Sequence, residues 1–89
     1  MTRFRAIIAG RVQGVGYRAS AAHEGRRLGV LGWVRNRHDG TVEVEAQAEA
    51  DVAERFLVYL RHGPFGARVK TVDTEWLPTA SDLGPFEIR

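Results

Sequence analysis

The sequence predicts an α+β fold in which two helices cover one face of a mostly antiparallel sheet. Residues 41–48 alternate between apolar and polar side chains, as expected of a strand with one covered and one solvated face. Val52, Phe56 and Leu60 recur at intervals that place them on one side of a helix. Glycine-containing turns separate the apolar segments, and a chain of 89 residues has room for one core. We therefore expect a single domain over residues 1–89.

The predicted elements alternate strand, helix, strand, strand, helix, strand. Strands are expected at residues 4–9, 30–36, 41–48 and 67–77, helices at 17–28 and 51–61, and a short fifth strand at 86–89. Asp51 and Glu54 have capping-box spacing, although a helix start one or two residues earlier is equally compatible. This order is that of a ferredoxin-like sandwich, β-α-β-β-α-β, with an additional C-terminal strand. Because its first two strands run parallel, residues 10–18 and Asn36 should meet at one edge of the sheet.

Composition excludes several classes of function. The chain has no cysteine, so disulfides, thiol nucleophiles and cysteine-based zinc sites are absent. His23, His38 and His62 lack metal-ligand spacing, and we expect no metal or other cofactor. All cations except Lys70 are arginines, the net charge is only +2, and acidic residues are interspersed among them. That pattern favours small anionic ligands over a nucleic-acid partner.

The N-terminus contains no targeting segment, and no apolar run is long enough to span a membrane. We therefore expect a cytoplasmic protein that does not associate with a membrane. Asp39, Glu43 and Glu45 are interpreted as a turn residue and a solvated strand face rather than as an acid–base pair. Trp33 and Trp76 are expected to pack in the core or on a face of the sheet.

The segment GRVQGVGYR, residues 10–18, joins the first predicted strand to the first helix. Its glycines, Gly10, Gly14 and Gly16, permit backbone conformations that turn successive N–H groups toward one point. The following helix N-terminus adds free donors, and Arg18 adds a planar fork suited to phosphate oxygens. The segment lacks the ending of a Walker A loop. On these residues alone, an anion site and a tight turn with a surface arginine are equally compatible.

Together with GWVRNRHDGTVEV, residues 32–44, this segment resembles the paired signature of acylphosphatases. GPFGARVKTV at 63–72 and the terminal FEIR are similar to the rest of that family's pattern. The resemblance implies hydrolysis of the carboxyl–phosphate bond of a small acyl phosphate to a carboxylate and inorganic phosphate. It assigns the essential arginine to Arg18 and the asparagine that orients water to Asn36. It assigns phosphate binding to the main chain of the loop, namely Arg11, Val12, Gln13, Gly14, Val15, Gly16 and Tyr17, together with Arg18.

Two positions depart from the family pattern: Tyr17 stands where phenylalanine is more frequent, and Ala48 where glycine is usual.

Other interpretations remain open at this stage. An RNA-binding module of the same architecture would present aromatic residues on the third strand, which here has Val42, Glu43 and Val44. A domain of a multidomain maturation enzyme would continue into zinc-binding segments, whereas this sequence ends at Arg89. A catalytically inactive, anion-binding relative is the remaining alternative. We expect this protein to be a monomer.

Overall fold

The chain forms five strands and two helices in the computed structural model, which describes residues 1–89. The strands are β1 (Thr2–Arg11), β2 (Leu31–Asn36), β3 (Val42–Ala48), β4 (Arg68–Leu77) and β5 (Glu87–Ile88), and the helices are α1 (Tyr17–Leu28) and α2 (Ala50–His62). The sheet order is β4-β1-β3-β2-β5, antiparallel except for the β2–β5 pair. The predicted ferredoxin-like sandwich with a short fifth strand is confirmed.

The core lies between the sheet and the two helices. On β1, Phe4, Ala6 and Ile8 are fully buried and alternate with partly exposed neighbours. Their partners across the ladder on β3 are Ala46, Val44 and Val42, which are also fully buried. Helix α1 packs against β2 and β5, and α2 packs against β1, β3 and β4. Burying this one apolar face places both helices on the same side of the sheet.

Helix α2 contributes the apolar stripe predicted from its spacing. Phe56 and Leu60 are fully buried, and Val52 packs at the margin of the core. The helix begins at Ala50, and Glu49 at its N-cap makes no side-chain capping bond. A capping box starting at Asp51 is therefore wrong, because that residue already lies in the first helical turn, and the earlier start that the sequence also allowed is confirmed.

The opposite face of the sheet is less exposed than its sequence pattern predicts. Glu43 is only 4% exposed and Gln47 only 5%, so the expectation of a solvated strand face is wrong. Glu43 accepts hydrogen bonds from Arg5 and Arg35, each at 2.6 Å. Gln47 is covered by the connection between β4 and β5, where it donates to the Ala80 carbonyl at 2.9 Å and accepts from the Ala80 amide at 2.7 Å.

Both tryptophans pack as predicted. Trp33 lies on this second face with the guanidinium groups of Arg35 and Arg89 at 5.6 and 5.2 Å from its ring centre. Trp76 is half-exposed on β4 and packs edge-on against Phe4 at 5.5 Å. No helix combines the length and hydrophobicity needed to cross a membrane.

Candidate active site

The loop after β1 owes its shape to two glycines. Gly14 and Gly16 have φ angles of 74° and 78°, in the left-handed region that side chains with a Cβ seldom adopt. Helix α1 begins at Tyr17, and Gly16 is its N-cap residue. No side chain accepts a hydrogen bond from the amides at this end of the helix. Residues 12–16 therefore form a tight turn that leads into an uncapped helix N-terminus.

The amides of this turn have no partner inside the protein. Ten backbone hydrogen bonds lie outside the regular helices and strands, and none is donated by an amide between Gln13 and Ala19. The first bond of the helix is donated by Ser20 to the Gly16 carbonyl at 3.0 Å. Consecutive free N–H groups at a helix N-terminus form a site that favours an anion, through both hydrogen bonding and the helix dipole.

Arg18 and Asn36 line one cavity of about 200 Å³, although they lie on different elements. The antiparallel pairing of both β1 and β2 with β3 makes β1 and β2 run in the same direction, so their ends meet at one edge. The cavity is lined by Val12, Gly14, Gly16, Tyr17, Arg18, Ala19, Asn36 and Ile88. Arg18 has no carboxylate within ion-pair distance, which leaves its positive charge available to a ligand.

Asn36 carries an acceptor without a partner. Its Oδ1 is buried and makes no hydrogen bond to any protein group. A buried polar atom left unsatisfied costs about 1–3 kcal/mol, so such atoms are rare away from functional sites. Asn36 also lines the cavity of Arg18, so a small rotation of its side chain would bring Oδ1 to a donor there.

Gln13 fixes the loop against the β2–β3 hairpin. Its Nε2 donates to the carbonyl oxygens of Arg37 at 2.8 Å and Thr41 at 2.9 Å. Arg37 follows Asn36 directly in the chain, so this one side chain connects the glycine loop to the strand end that carries Asn36. Gln13 does not itself line the cavity, and it acts on the site by holding its two halves in register.

The other sequence-predicted residues divide into two groups. Val12, Gly14, Gly16 and Tyr17 line the cavity with Arg18, whereas Arg11, Gln13 and Val15 do not. Of the arginines beside Asn36, Arg35 is held by Glu43 at 2.6 Å and Arg37 lies 3.8 Å from Asp39. Both line a second depression, of about 260 Å³, which adjoins the cavity of Arg18 because Asn36 lines both.

Ile88 was missed as a site residue by the sequence analysis. It lies on β5, whose parallel pairing with β2 places it opposite Val34, and it lines the same cavity as Asn36. Residue alternation offered a signal, because Phe86 is buried under the helices and Ile88 falls on the same face two residues later.

Tyr17 anchors the helix start in the core. Its ring is 1% exposed, and its hydroxyl donates to the Leu60 carbonyl at 2.7 Å near the end of α2. Burial, and secondarily the nearby Tyr59, raises the pKa of the Tyr17 hydroxyl above its ordinary value, so it remains a neutral donor. The hydroxyl that distinguishes Tyr17 from phenylalanine thus serves the packing of the two helices.

The arrangement suits a tetrahedral oxyanion. Free loop amides and one guanidinium can hold phosphoryl oxygens, and a carboxamide at the same cavity can orient a water molecule. No cluster of three or more histidine, aspartate or glutamate side chains is positioned to hold a metal ion.

Comparison with known proteins identifies the family of the chain. The family model described as acylphosphatase matches residues 4–88. A protein named acylphosphatase from Anaeromyxobacter dehalogenans is 53% identical over 87 residues, 98% of this chain and 94% of that protein. The crystal structure of acylphosphatase from Bacillus subtilis superimposes with a TM-score of 0.96 at 30% identity, covering 100% of this chain and 99% of that one. That of an acylphosphatase from Coxiella burnetii gives 0.92 at 33% identity, covering 99% and 92%.

Proposed function

Since the chain belongs to the acylphosphatase family, we propose that it hydrolyses the carboxyl–phosphate bond of small acyl phosphates. The observation that carries this proposal is the shared cavity of Arg18 and Asn36, bordered by loop amides with no internal partner. The products are a carboxylate and inorganic phosphate.

The phosphoryl group binds in the loop. Amides of residues 11–17 donate to its oxygens, and the Arg18 guanidinium adds paired donors and a full positive charge. These groups are in place before the substrate arrives, so they stabilise the charge on the phosphoryl oxygens in the transition state without rearrangement. The loop thus supplies both affinity and electrostatic stabilisation.

Asn36 orients the attacking water. Its carboxamide, on a residue that lines the cavity, hydrogen-bonds the water and directs a lone pair of the water at phosphorus. The new P–O bond forms as the bond from phosphorus to the acyl oxygen breaks, and the carboxylate leaves with that electron pair. The water's proton passes to a phosphoryl oxygen of the substrate. A carboxylate is a stable leaving group, so placement and electrostatics suffice without a covalent intermediate.

Four narrower statements accompany this proposal. The enzyme works without a metal ion, it forms a single domain over residues 1–89, it is a monomer, and it acts in the cytoplasm. The absence of metal-ligand spacing among the histidines supports the first statement. The single hydrophobic core shared by the sheet and both helices supports the second.

The experiment is steady-state hydrolysis of benzoyl phosphate by the wild type and two variants, with inorganic phosphate as competitor. Arg18→Ala should lower kcat/KM by at least about a hundredfold and weaken phosphate inhibition, because the guanidinium binds the phosphoryl oxygens. Asn36→Ala should lower kcat about a hundredfold while phosphate inhibition changes little. Arg55→Ala, at an exposed helix position without an ion pair, is the charge-matched control.

Circular dichroism of each variant establishes that it is folded. Turnover near the wild-type level in folded Arg18→Ala or Asn36→Ala would contradict the assigned role. Phosphate binding by a wild-type protein that hydrolyses no acyl phosphate would identify an anion-binding module instead. Undiminished turnover after treatment with EDTA is expected, and loss of turnover that added metal restores would overturn the metal-free mechanism.

A further inference from the structure

A second cavity, of about 480 Å³, opens beside the start of the loop that precedes Arg18. It is lined by Arg11 at the end of β1, Arg68 at the start of β4, and the α2–β4 connection at residues 64–67. The volume is that of a pocket for a small molecule rather than for a single ion. None of its lining residues is acidic.

The two arginines of this cavity face each other across the β1–β4 ladder. Like charges directly opposite on neighbouring strands repel and destabilise the pair. Neither guanidinium has a carboxylate within 4.0 Å, and neither makes a side-chain hydrogen bond. An anionic ligand between them would remove the repulsion.

The backbone holds the arginines in this position. The ladder shifts register between Ala9 and Gly10, and Gly10 has a φ of 125°. A Cβ at Gly10 would lie 2.1 Å from the Arg68 carbonyl oxygen, so only glycine allows the two strands to approach this closely. After this register shift the ladder continues for two residues, and Arg11 at the end of β1 lies opposite Arg68.

Phe65 adds an aromatic ring to the same cavity. Phe65 is fully exposed to solvent, more so than any other large apolar residue of the protein. An aromatic ring beside two guanidinium groups suits a ligand that combines an aromatic body with negative charge, since the ring can stack and the guanidinium groups can bind the anion.

The cavity and Asn36 lie on opposite sides of the loop that follows β1. In the sheet order β4-β1-β3-β2-β5, the loop follows β1, Asn36 ends β2 on one side, and Arg68 begins β4 on the other. In-line displacement places the attacking water and the leaving oxygen on opposite sides of phosphorus. A water held by Asn36 therefore directs the acyl group toward β4.

Little material separates the two cavities. The Tyr17 ring lines the phosphate cavity and Ala67 lines the second one. A Cβ placed on Gly63 would lie 2.9 Å from the Tyr17 ring and 3.2 Å from the Ala67 Cβ, so these two side chains are near neighbours. Arg11 and Val12, adjacent in the chain, line one cavity each.

We propose that the cavity of Arg11, Phe65 and Arg68 receives the acyl group of the substrate and selects aromatic acyl groups that carry an additional negative charge. This inference rests on the proposed function, because it presupposes that the loop holds a phosphoryl group undergoing in-line attack. Phe65 contacts the ring of the acyl group, and the arginines bind its distal anion.

The test compares kcat/KM for acetyl phosphate, benzoyl phosphate and 4-carboxybenzoyl phosphate. The wild type should prefer the third substrate. Arg68→Gln should lower kcat/KM about tenfold for 4-carboxybenzoyl phosphate and less than about twofold for acetyl phosphate. Phe65→Ala should lower kcat/KM about fivefold to tenfold for both aromatic substrates and leave acetyl phosphate unchanged. Arg55→Gln removes a charge of the same sign away from the cavity and should leave the substrate ratios unchanged.

Equal losses for all three substrates in Arg68→Gln, or the same effect in Arg55→Gln, would overturn the inference and leave the proposed function standing. Unchanged substrate ratios in Phe65→Ala would also overturn the inference without affecting the proposed function. A wild type that hydrolyses none of the three would overturn the proposed function, and this inference with it.

Discussion

Gln13 Nε2 lies 2.8 Å from the carbonyl oxygen of Arg37 and donates a hydrogen bond to it across 24 positions of sequence. The same nitrogen donates to the Thr41 carbonyl at 2.9 Å. These bonds join the glycine loop to both sides of the turn between β2 and β3, next to the residue proposed to orient water. The Gln13 side-chain amide therefore links the glycine loop directly to the turn that follows Asn36.

Gln13→Ala should lower kcat about tenfold to a hundredfold, because small displacements of positioned groups are costly in catalysis. The free energy of unfolding should fall by about 1–2 kcal/mol through the loss of two partly buried hydrogen bonds. Steady-state kinetics with benzoyl phosphate and urea denaturation measure the two effects.

Gln47→Ala is the matched control for this prediction. Gln47 also bonds a distant backbone segment through its side-chain amide, but on the opposite face of the sheet. It should lose similar stability and retain wild-type kcat. An equal loss of kcat in both variants would show that reduced stability, rather than positioning of the site, explains the effect of Gln13.

Tyr17→Phe should reduce the free energy of unfolding by about 1–2 kcal/mol, because the buried Leu60 carbonyl loses its donor. Turnover should stay within about twofold, since the loop amides and Arg18 are unchanged. Tyr59→Phe is the comparison, because its partly buried hydroxyl contacts only Ser20 and its loss should cost less. A tenfold fall in turnover of Tyr17→Phe would place the hydroxyl in the site itself.

The stabilisation from Tyr17 should disappear in alkali. Burial, and then Tyr59, raises the pKa of Tyr17 in the folded state. Above about pH 10, the ordinary tyrosine pKa, the unfolded chain binds fewer protons than the folded one at this group, so stability falls as pH rises. The advantage of the wild type over Tyr17→Phe should therefore shrink between pH 9 and pH 11. A constant difference in urea midpoint over that range would contradict the raised pKa.

Glu43→Gln should destabilise the protein by about 1–3 kcal/mol at pH 7. Burial acts to raise the pKa of Glu43, but hydrogen bonds from Arg35 and Arg5 and their charges outweigh it, so the pKa is lowered. The ionised Glu43 carboxylate contributes its full stabilisation above about pH 4.3, the ordinary pKa of glutamate in the unfolded chain. That stabilisation is lost as the pH falls through the lower pKa of Glu43 in the folded protein. The difference between wild type and variant should narrow below pH 4 in thermal denaturation.

Glu87→Gln provides the exposed counterpart, since Glu87 pairs with Arg89 and both side chains are half-exposed. Its effect should stay below about 0.5 kcal/mol at pH 7. A loss as large as that of Glu43→Gln would mean that burial is not what makes the Glu43 cluster stabilising.

The sequence by itself predicted the order of helices and strands and the proximity of Arg18 and Asn36, which line one cavity. Alternation along β3 and the four-residue repeat of α2 are local consequences of burying one face, and they require no knowledge of neighbours. The position of Asn36 near Arg18 followed from topology, because parallel strands with a right-handed crossover end at the same edge. The family resemblance then attached a chemistry to these two side chains.

The tertiary structure decided what covers each surface. Glu43 and Gln47 are polar residues at alternating positions and were expected in solvent, yet a pair of arginines and the β4–β5 connection bury them. The neighbours of Ile88, and the pairing of Arg11 with Arg68, come from strands that are distant in sequence. Periodicity reports which side of an element a residue occupies, whereas its neighbours there depend on contacts between distant segments that no local pattern encodes.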